Sequence, residues 1–204
     1  MEKENVLDKT IYDFSKKSDI IQTVILGLLA FLVPTFLAQF ITTIFGTGSV
    51  ITLNSQIIVG SIVNMALILT AINIKGWKKI IAIITMPSIS TILSGYVFQA
   101  ASVYMVYMIP TIWIGNFVLI YSFKFFMLNK NYNYFVASII GIITKVLVIF
   151  GWFELLNLFG IFPSKLIQNL QTAMGLTQLI TATIGSVLVF LIYHIEKKKL
   201  TNIN

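Results

Sequence analysis

The sequence predicts an all-α integral membrane protein, a bundle of six transmembrane helices with both termini in the cytoplasm. Three observations lead to this fold class. The composition is 57% hydrophobic and only 10% charged, six long apolar runs follow one another, and lysines are concentrated in alternate gaps between those runs. Ordinary soluble domains carry about 25% charged residues, so the composition excludes that class.

Each apolar run is long enough to cross ~30 Å of hydrocarbon at ~1.5 Å per helical residue. The runs are continuously apolar, and an open sheet cannot satisfy its backbone in lipid, so each is predicted to be a helix. We expect a membrane domain over 20–196, a cytoplasmic N-terminal tail over 1–19 and a cytoplasmic C-terminal tail over 197–204. The six runs cover approximately residues 20–45, 50–73, 78–99, 103–126, 132–156 and 168–194.

The lysines predict the topology. The gaps 46–49 and 100–102 carry no charge, and the gap 157–167 carries only Lys165. Since cytoplasmic loops of membrane proteins are enriched in Lys and Arg, both termini are placed inside a cell membrane. The net charge of +7 is then explained by topology and by anionic lipid headgroups, and no nucleic-acid partner is expected. The remaining gaps, the ends of the runs beside them and the two ends of the chain hold Lys3, Lys9, Lys16, Lys17, Lys75, Lys78, Lys79, Lys124, Lys130, Lys197, Lys198 and Lys199.

The first run carries a stripe of small residues at helical spacing: Gly27, Ala30, Pro34 and Ala38. Such a stripe lets another helix approach closely, because association in lipid depends on van der Waals contact. The approaching helix is either internal or part of another subunit. The gap 157–167, which contains Gly160 and Pro163, is predicted to be an outer lid.

Proline occurs inside three of the runs, at Pro34, Pro87 and Pro110. Neighbouring groups can satisfy the carbonyl that a proline leaves free in a membrane helix, and the helix often kinks there. Each proline is therefore either a packing kink or a kink that shapes a cavity.

Polar side chains share a helical face in five of the six runs, and these faces are expected to meet inside the bundle. Counted from the predicted outer ends at ~1.5 Å per residue, the deepest members lie roughly 10 Å or more inside the membrane. The candidate substrate-binding residues are Lys145, Asn116, Trp113, Gln178, Thr181 and Asn64. For Asn64, Asn116 and Gln178, amide bonds between helices are the structural alternative to ligand contact.

Lys145 lies inside the fifth run, where an ionisable residue is rare and usually functional. The acidic residue nearest to it in its run, Glu154, is nine residues further on and faces the opposite side of the helix. Two interpretations remain open. Lys145 either extends to the headgroups and buries only its stem, or it faces a cavity and binds an anionic or strongly hydrogen-bonding ligand group.

Several classes of chemistry are not expected. The chain has no cysteine and a single histidine, His194, so it offers neither thiolate metal sites nor a histidine cluster. No nucleophile with a base and no glycine-rich phosphate loop is visible. We therefore expect no enzyme activity, no cofactor and no metal.

Short local motifs resemble those of a known family, the substrate-binding S components of energy-coupling factor (ECF) transporters. The third and fourth runs contain Met86-Pro87-Ser88, Ser94-Gly95, Ile109-Pro110, Trp113, Gly115 and Asn116. The fifth run then supplies Lys145, and the sixth resembles the last helix of many S components over 175–185. The resemblance covers essentially the whole chain and includes the six short-looped helices.

The resemblance implies a subunit that captures a vitamin or similar micronutrient from outside. It also implies a scaffold membrane subunit and two cytoplasmic ATPase subunits as partners. Family members commonly dock through an Ala-x-x-x-Ala pair on the first helix, which this chain replaces with Ala30, Pro34 and Ala38. Site-closing loops would correspond to residues near 46–56 and 157–167. The alternatives are a membrane scaffold or assembly protein without a substrate and a stand-alone small transporter, the latter disfavoured because no repeat or acidic proton relay is visible.

Overall fold

The computed structural model describes residues 5–12, 14–46, 51 and 54–201, and every regular element within these ranges is helical. A short 3-10 turn precedes the first long helix, and a longer 3-10 segment, Gln99–Met108, leads into the fourth. The predicted all-α class is confirmed over the described residues. The helices are α1 (Lys16–Phe45), α2 (Ser55–Asn73), α3 (Trp77–Ser94), α4 (Ile109–Ser122), α5 (Tyr134–Leu158), α6 (Ser164–Met174) and α7 (Leu176–Thr201).

Five helical stretches among the described residues are long and apolar enough to cross a membrane, as in a multi-pass membrane protein. Helix α3, which covers the predicted third run, is not one of the five. It begins with Trp77, Lys78 and Lys79 and carries several hydroxyl side chains, so its 18 residues are less apolar than the others. The five stretches are Lys16–Phe45, Ser55–Asn73, Ala101–Asn129, Tyr134–Leu158 and Ser164–His194.

Several ends of the predicted runs differ from the ends of the helices in the structure. The gap 100–102 is part of the 3-10 segment, which continues into α4 with Pro110 in the first helical turn, where no N–H is needed. The sixth run is not one helix, because the chain breaks at Gly175 between α6 and α7. Helix α7 continues to Thr201, beyond the end of the predicted sixth run at 194. The gap at 46–49 lies mostly outside the described residues.

Helix α1 contains a π-helical segment, Val33–Leu37, beginning next to Pro34. Proline has no N–H, so the backbone hydrogen bond from position 34 to the preceding turn is missing. The carbonyl of Phe31 accepts hydrogen bonds from the hydroxyls of Thr35, at 3.3 Å, and Ser90 of α3. These bonds tie α1 to α3 at the level of Pro34.

Helix α2 is the centre of the bundle and packs against α1, α3, α4 and α7. Its closest contact is with α7, where glycine allows the backbones to meet. A Cβ atom on Gly185 would lie 2.8 Å from both Asn64 Cβ and the backbone nitrogen of Met65. A Cβ atom on Gly60 would lie 2.9 Å from Thr181 Cγ2. The seam between α2 and α7 therefore depends on two glycines, one in each helix.

The bundle has two ends, which we name by their structures. At the Lys124 end, Lys124 is fully buried, and its Nζ donates hydrogen bonds to the carbonyls of Lys9 (2.6 Å) and Ile74 (2.9 Å). Lys124 was counted among the loop lysines that predict the topology, but α4 and its π-helical extension carry it into the core. At the opposite, α6 end, the Nε2 atom of Gln56 donates to the carbonyl of Ala173 at 3.4 Å.

The small-residue stripe of α1 faces the inside of the bundle. Ala30 and Ala38 have no exposed surface, and Pro34 is buried. A Cβ atom on Gly27 would meet Ile83 of α3 at 4.0 Å. The structure thus contradicts the assignment of Ala30, Pro34 and Ala38 as a docking surface, since α2 and α3 of the same chain already cover this face. The close approach is internal.

Candidate ligand-binding cavity

A partly enclosed cavity of about 80 Å³ lies between the helices. All six predicted runs or their connections contribute to its wall, so helix packing alone creates it. This volume holds several water molecules or the core of a small ligand, since one water needs roughly 15 Å³. Its wall consists of Pro34, Gln56, Val59, Gly60, Val63, Asn64, Pro87, Ser88, Thr91, Ile92, Val97, Phe98, Met105, Ile109, Ile112, Asn116, Lys145 and Gln178.

Helix α2 supplies one continuous face of the cavity. Gln56, Val59, Gly60, Val63 and Asn64 all line it, and their spacing of three or four residues keeps them on one side of a helix. At ~1.5 Å per residue, this face extends about 12 Å from Gln56 at the α6 end to Asn64 near the middle of the bundle. The cavity therefore extends along the helix axis, with apolar side chains between two amide groups.

The side chain of Lys145 is directed into the bundle. The residue is 2% exposed, and its Nζ donates a 2.5 Å hydrogen bond to Oδ1 of Asn64. Among the described residues, no carboxylate forms an ion pair with this ammonium, and Glu154 instead accepts a 3.0 Å hydrogen bond from Gln171. Of the two interpretations of Lys145, this geometry matches the cavity-facing one. A buried cation whose observed partner is a neutral amide remains poorly compensated.

Asn64 is held by three hydrogen bonds. Its Nδ2 donates to the carbonyl of Gly60, at 2.9 Å, and to the hydroxyl oxygen of Thr181, at 3.2 Å, while its Oδ1 accepts from Lys145. Thr181 does not line the cavity, although it was a candidate substrate-binding residue. Its contact with Asn64 instead orients the amide whose oxygen receives the lysine.

Asn116 and Gln178 both line the cavity, as the sequence hypothesis requires of ligand-binding residues. The Nδ2 atom of Asn116 also donates to the carbonyl of Ile84 at 3.3 Å, close to Pro87 inside α3. Asn116 therefore has a structural partner in α3 as well as a place in the cavity wall. Pro34 and Pro87 are also part of the wall, so these two prolines shape a cavity.

Trp113 is the candidate that the structure does not bring to the cavity. Ile109, Ile112 and Asn116 of α4 form the wall, whereas Trp113 is not part of it, although it lies next to Ile109 and Asn116 on the helix surface. Its Nε1 atom is buried without a hydrogen-bond partner among the described residues. The assignment of Trp113 to substrate binding is therefore not supported by its position.

Several residues of the wall were not among the candidate substrate-binding residues, and Ser88 is the most informative of them. Ser88 is 6% exposed, lines the cavity, and its Oγ atom has no hydrogen-bond partner among the described residues. The signal was its place on one helical face with Thr91, which also lines the cavity. Phe98 was not a candidate because it lies at the end of the third run, and Gln56 was included only in the site-closing loop near 46–56.

A second, larger cavity of about 440 Å³ adjoins the first at the α6 end. Gln56, Val97 and Phe98 belong to both walls, so they separate the two spaces. Helix α6 supplies Leu166, Asn169, Leu170, Thr172 and Ala173 to the second cavity. The element beside the second cavity is thus mainly helix α6. The predicted lid 157–167 overlaps α6 only in the first turn of that helix.

Comparison of the chain with protein-family models, curated proteins and solved structures finds no match.

Proposed function

We propose that this chain is the substrate-capture subunit of an ECF-type importer for a vitamin or similar micronutrient. The single observation that carries the proposal is a cavity inside an apolar helical bundle, with a buried lysine and several amides and hydroxyls in its wall. Polar groups in a membrane domain face the interior or a wet cavity and mark substrate sites. A bundle held together only by helix packing does not need them there.

The proposal includes a topology and a location. The chain crosses the cell membrane six times, with both termini in the cytoplasm and the α6 end outside. The alternation of lysines supports this orientation. Helix α3, with 18 residues, is ~27 Å long and packs against α1 and α4, which supports its role as the sixth span.

The proposal also includes partners. A substrate-capture subunit without nucleotide chemistry needs a membrane scaffold subunit and two cytoplasmic ATPase subunits to drive uptake. The resemblance of the chain to S components supports these partners. The interior position of Ala30, Pro34 and Ala38 means that docking has to use other residues, and the chain is not proposed to be an enzyme.

The experiment is to purify the protein in mild detergent from cells grown in rich medium and to record its native mass spectrum. We expect a bound small molecule that is released on unfolding and has a mass of a few hundred daltons. A matched sample of Ile112→Trp, which adds bulk to a half-buried residue of the cavity wall, should lose the bound mass. An empty wild-type protein, which also fails to bind any compound of a vitamin panel, would contradict the proposal. That result would favour a membrane scaffold or assembly protein.

A further inference from the structure

The polar groups of the cavity differ in how completely their hydrogen-bonding capacity is used. Asn64 is fully engaged, and Asn116 has a partner in Ile84. The ammonium of Lys145 has three hydrogens and uses one of them on Asn64. The hydroxyl of Ser88 is buried in the same wall and has no partner among the described residues. Lys145 and Ser88 are therefore donors that face the cavity with unused capacity.

The charge of the cavity wall is positive and has no counter-charge in the part of the wall that the structure describes. Among the described residues that line the wall, Lys145 is the charged one, and the others are neutral. A buried ammonium that lacks a counter-charge is costly, and an entering anion supplies what the protein does not. One lysine balances one negative charge, which favours a monoanion over a phosphate dianion.

The other residues of the wall indicate what kind of molecule the cavity accepts. Val59, Val63, Ile92, Ile109 and Ile112 make most of the cavity apolar. An apolar wall with a few convergent polar groups binds an organic molecule in a fixed orientation. The small volume limits that molecule to a compact one.

From these observations we propose that the cavity binds a compact organic monocarboxylate, with its carboxylate against the Lys145 ammonium and the Ser88 hydroxyl. Asn64 and Thr181 act as positioning residues that hold Lys145 in place. This inference rests on the proposed function, because it names the ligand class of the same cavity. It adds Ser88, which was not among the candidate substrate-binding residues, and it makes the charge of the ligand the main determinant of specificity.

The test uses matched pairs of acids and amides that have the same shape and differ in charge. Acetate and acetamide, benzoate and benzamide, and nicotinate and nicotinamide are added in millimolar amounts to the protein in detergent, at constant ionic strength set with chloride. Thermal unfolding is followed by the fluorescence of the three tryptophans. Because a ligand that binds the folded state raises the melting temperature, the shift reports binding.

We expect at least one acid to raise the melting temperature of the wild-type protein more than its amide. In Lys145→Met this preference should disappear, with a loss of roughly ten- to a hundred-fold in affinity for the acid, as for a lost charge-assisted bond. Ser88→Ala should lower the affinity by a smaller factor, several-fold. Lys165→Met, which removes an exposed lysine near the α6 end, is the control and should retain the full preference.

Three results would overturn the inference. These are equal or larger shifts with the amides, an acid preference that survives in Lys145→Met, and no shift with any acid of the series. The wild-type comparison needs no variant, so poor folding of Lys145→Met cannot hide the answer. A neutral or cationic molecule in the native mass spectrum would also reject the inference while leaving the proposed function intact.

Discussion

The Nζ atom of Lys124 donates a 2.6 Å hydrogen bond to the carbonyl of Lys9. A second bond, to the carbonyl of Ile74, joins the same ammonium to the end of α2. The segment before α1 is also bound there through the backbone, since Ile11 N–H donates to the carbonyl of Ile72 at 2.9 Å. One buried lysine thus attaches the N-terminal segment to the Lys124 end of the bundle.

Replacement of this lysine should loosen the segment. In Lys124→Met both carbonyls lose a charged donor, and a buried acceptor left without a partner costs about 1–3 kcal/mol. We expect faster backbone hydrogen exchange and faster proteolysis over residues 5–12, with the transmembrane helices still folded. Lys130→Met is the control, because Lys130 is exposed close to the same π-helical segment. Unchanged exchange at these residues would show that the two bonds do not hold the segment.

The seam between α2 and α7 should be sensitive to a single methyl group. In Gly185→Ala the new Cβ would lie 2.8 Å from the backbone nitrogen of Met65, so the helices must separate. We expect a destabilisation of about 1–3 kcal/mol, typical of overpacking, seen as a lower melting temperature in detergent. Gly151→Ala in α5 is the control, since its Cβ meets nothing within 4 Å. Equal melting temperatures for the two variants would refute close packing at Gly185.

Bulk on the inner face of α1 should damage the fold itself. Ala30 has no exposed surface and belongs to the main hydrophobic core with Ile83 and Ile84 of α3. Ala30→Leu should therefore lower the yield and melting temperature of the isolated protein, by about 1–3 kcal/mol of stability. Leu28→Ala, on the exposed face of the same helix, is the control. If Ala30→Leu were as stable as wild type alone and failed only with partner subunits, the stripe would be a docking surface after all.

Reporter fusions test the topology. A reporter after Asn204 and another near Lys75 should be active only in the cytoplasm, and one within 157–165 only outside. The physical reason is the retention of lysine-rich loops on the cytoplasmic side. The fusions near Lys75 and within 157–165 also decide whether α3 spans the membrane. An external C-terminus would contradict the six-helix count.

The sequence by itself determined the helical membrane class and the approximate positions of the helices. Long apolar runs leave the backbone no other way to satisfy its hydrogen bonds in lipid, so this information is local. The sequence also indicated Lys145, because an ionisable residue inside an apolar run is conspicuous without knowledge of its neighbours. Asn64, Asn116 and Gln178 were indicated for the same reason, as polar residues at helical spacing.

Only the tertiary structure decided which of these residues meet. Lys145 and Asn64 are 81 residues apart and hydrogen-bonded, while Trp113, three residues from Asn116, lies outside the cavity wall. The small-residue stripe has the same pattern whether it faces another subunit or α3. Lys124 has the sequence position of a loop lysine, and only helix packing buries it. Helical periodicity defines the faces of each helix, but the direction of each face depends on non-local packing between helices, which no local pattern contains.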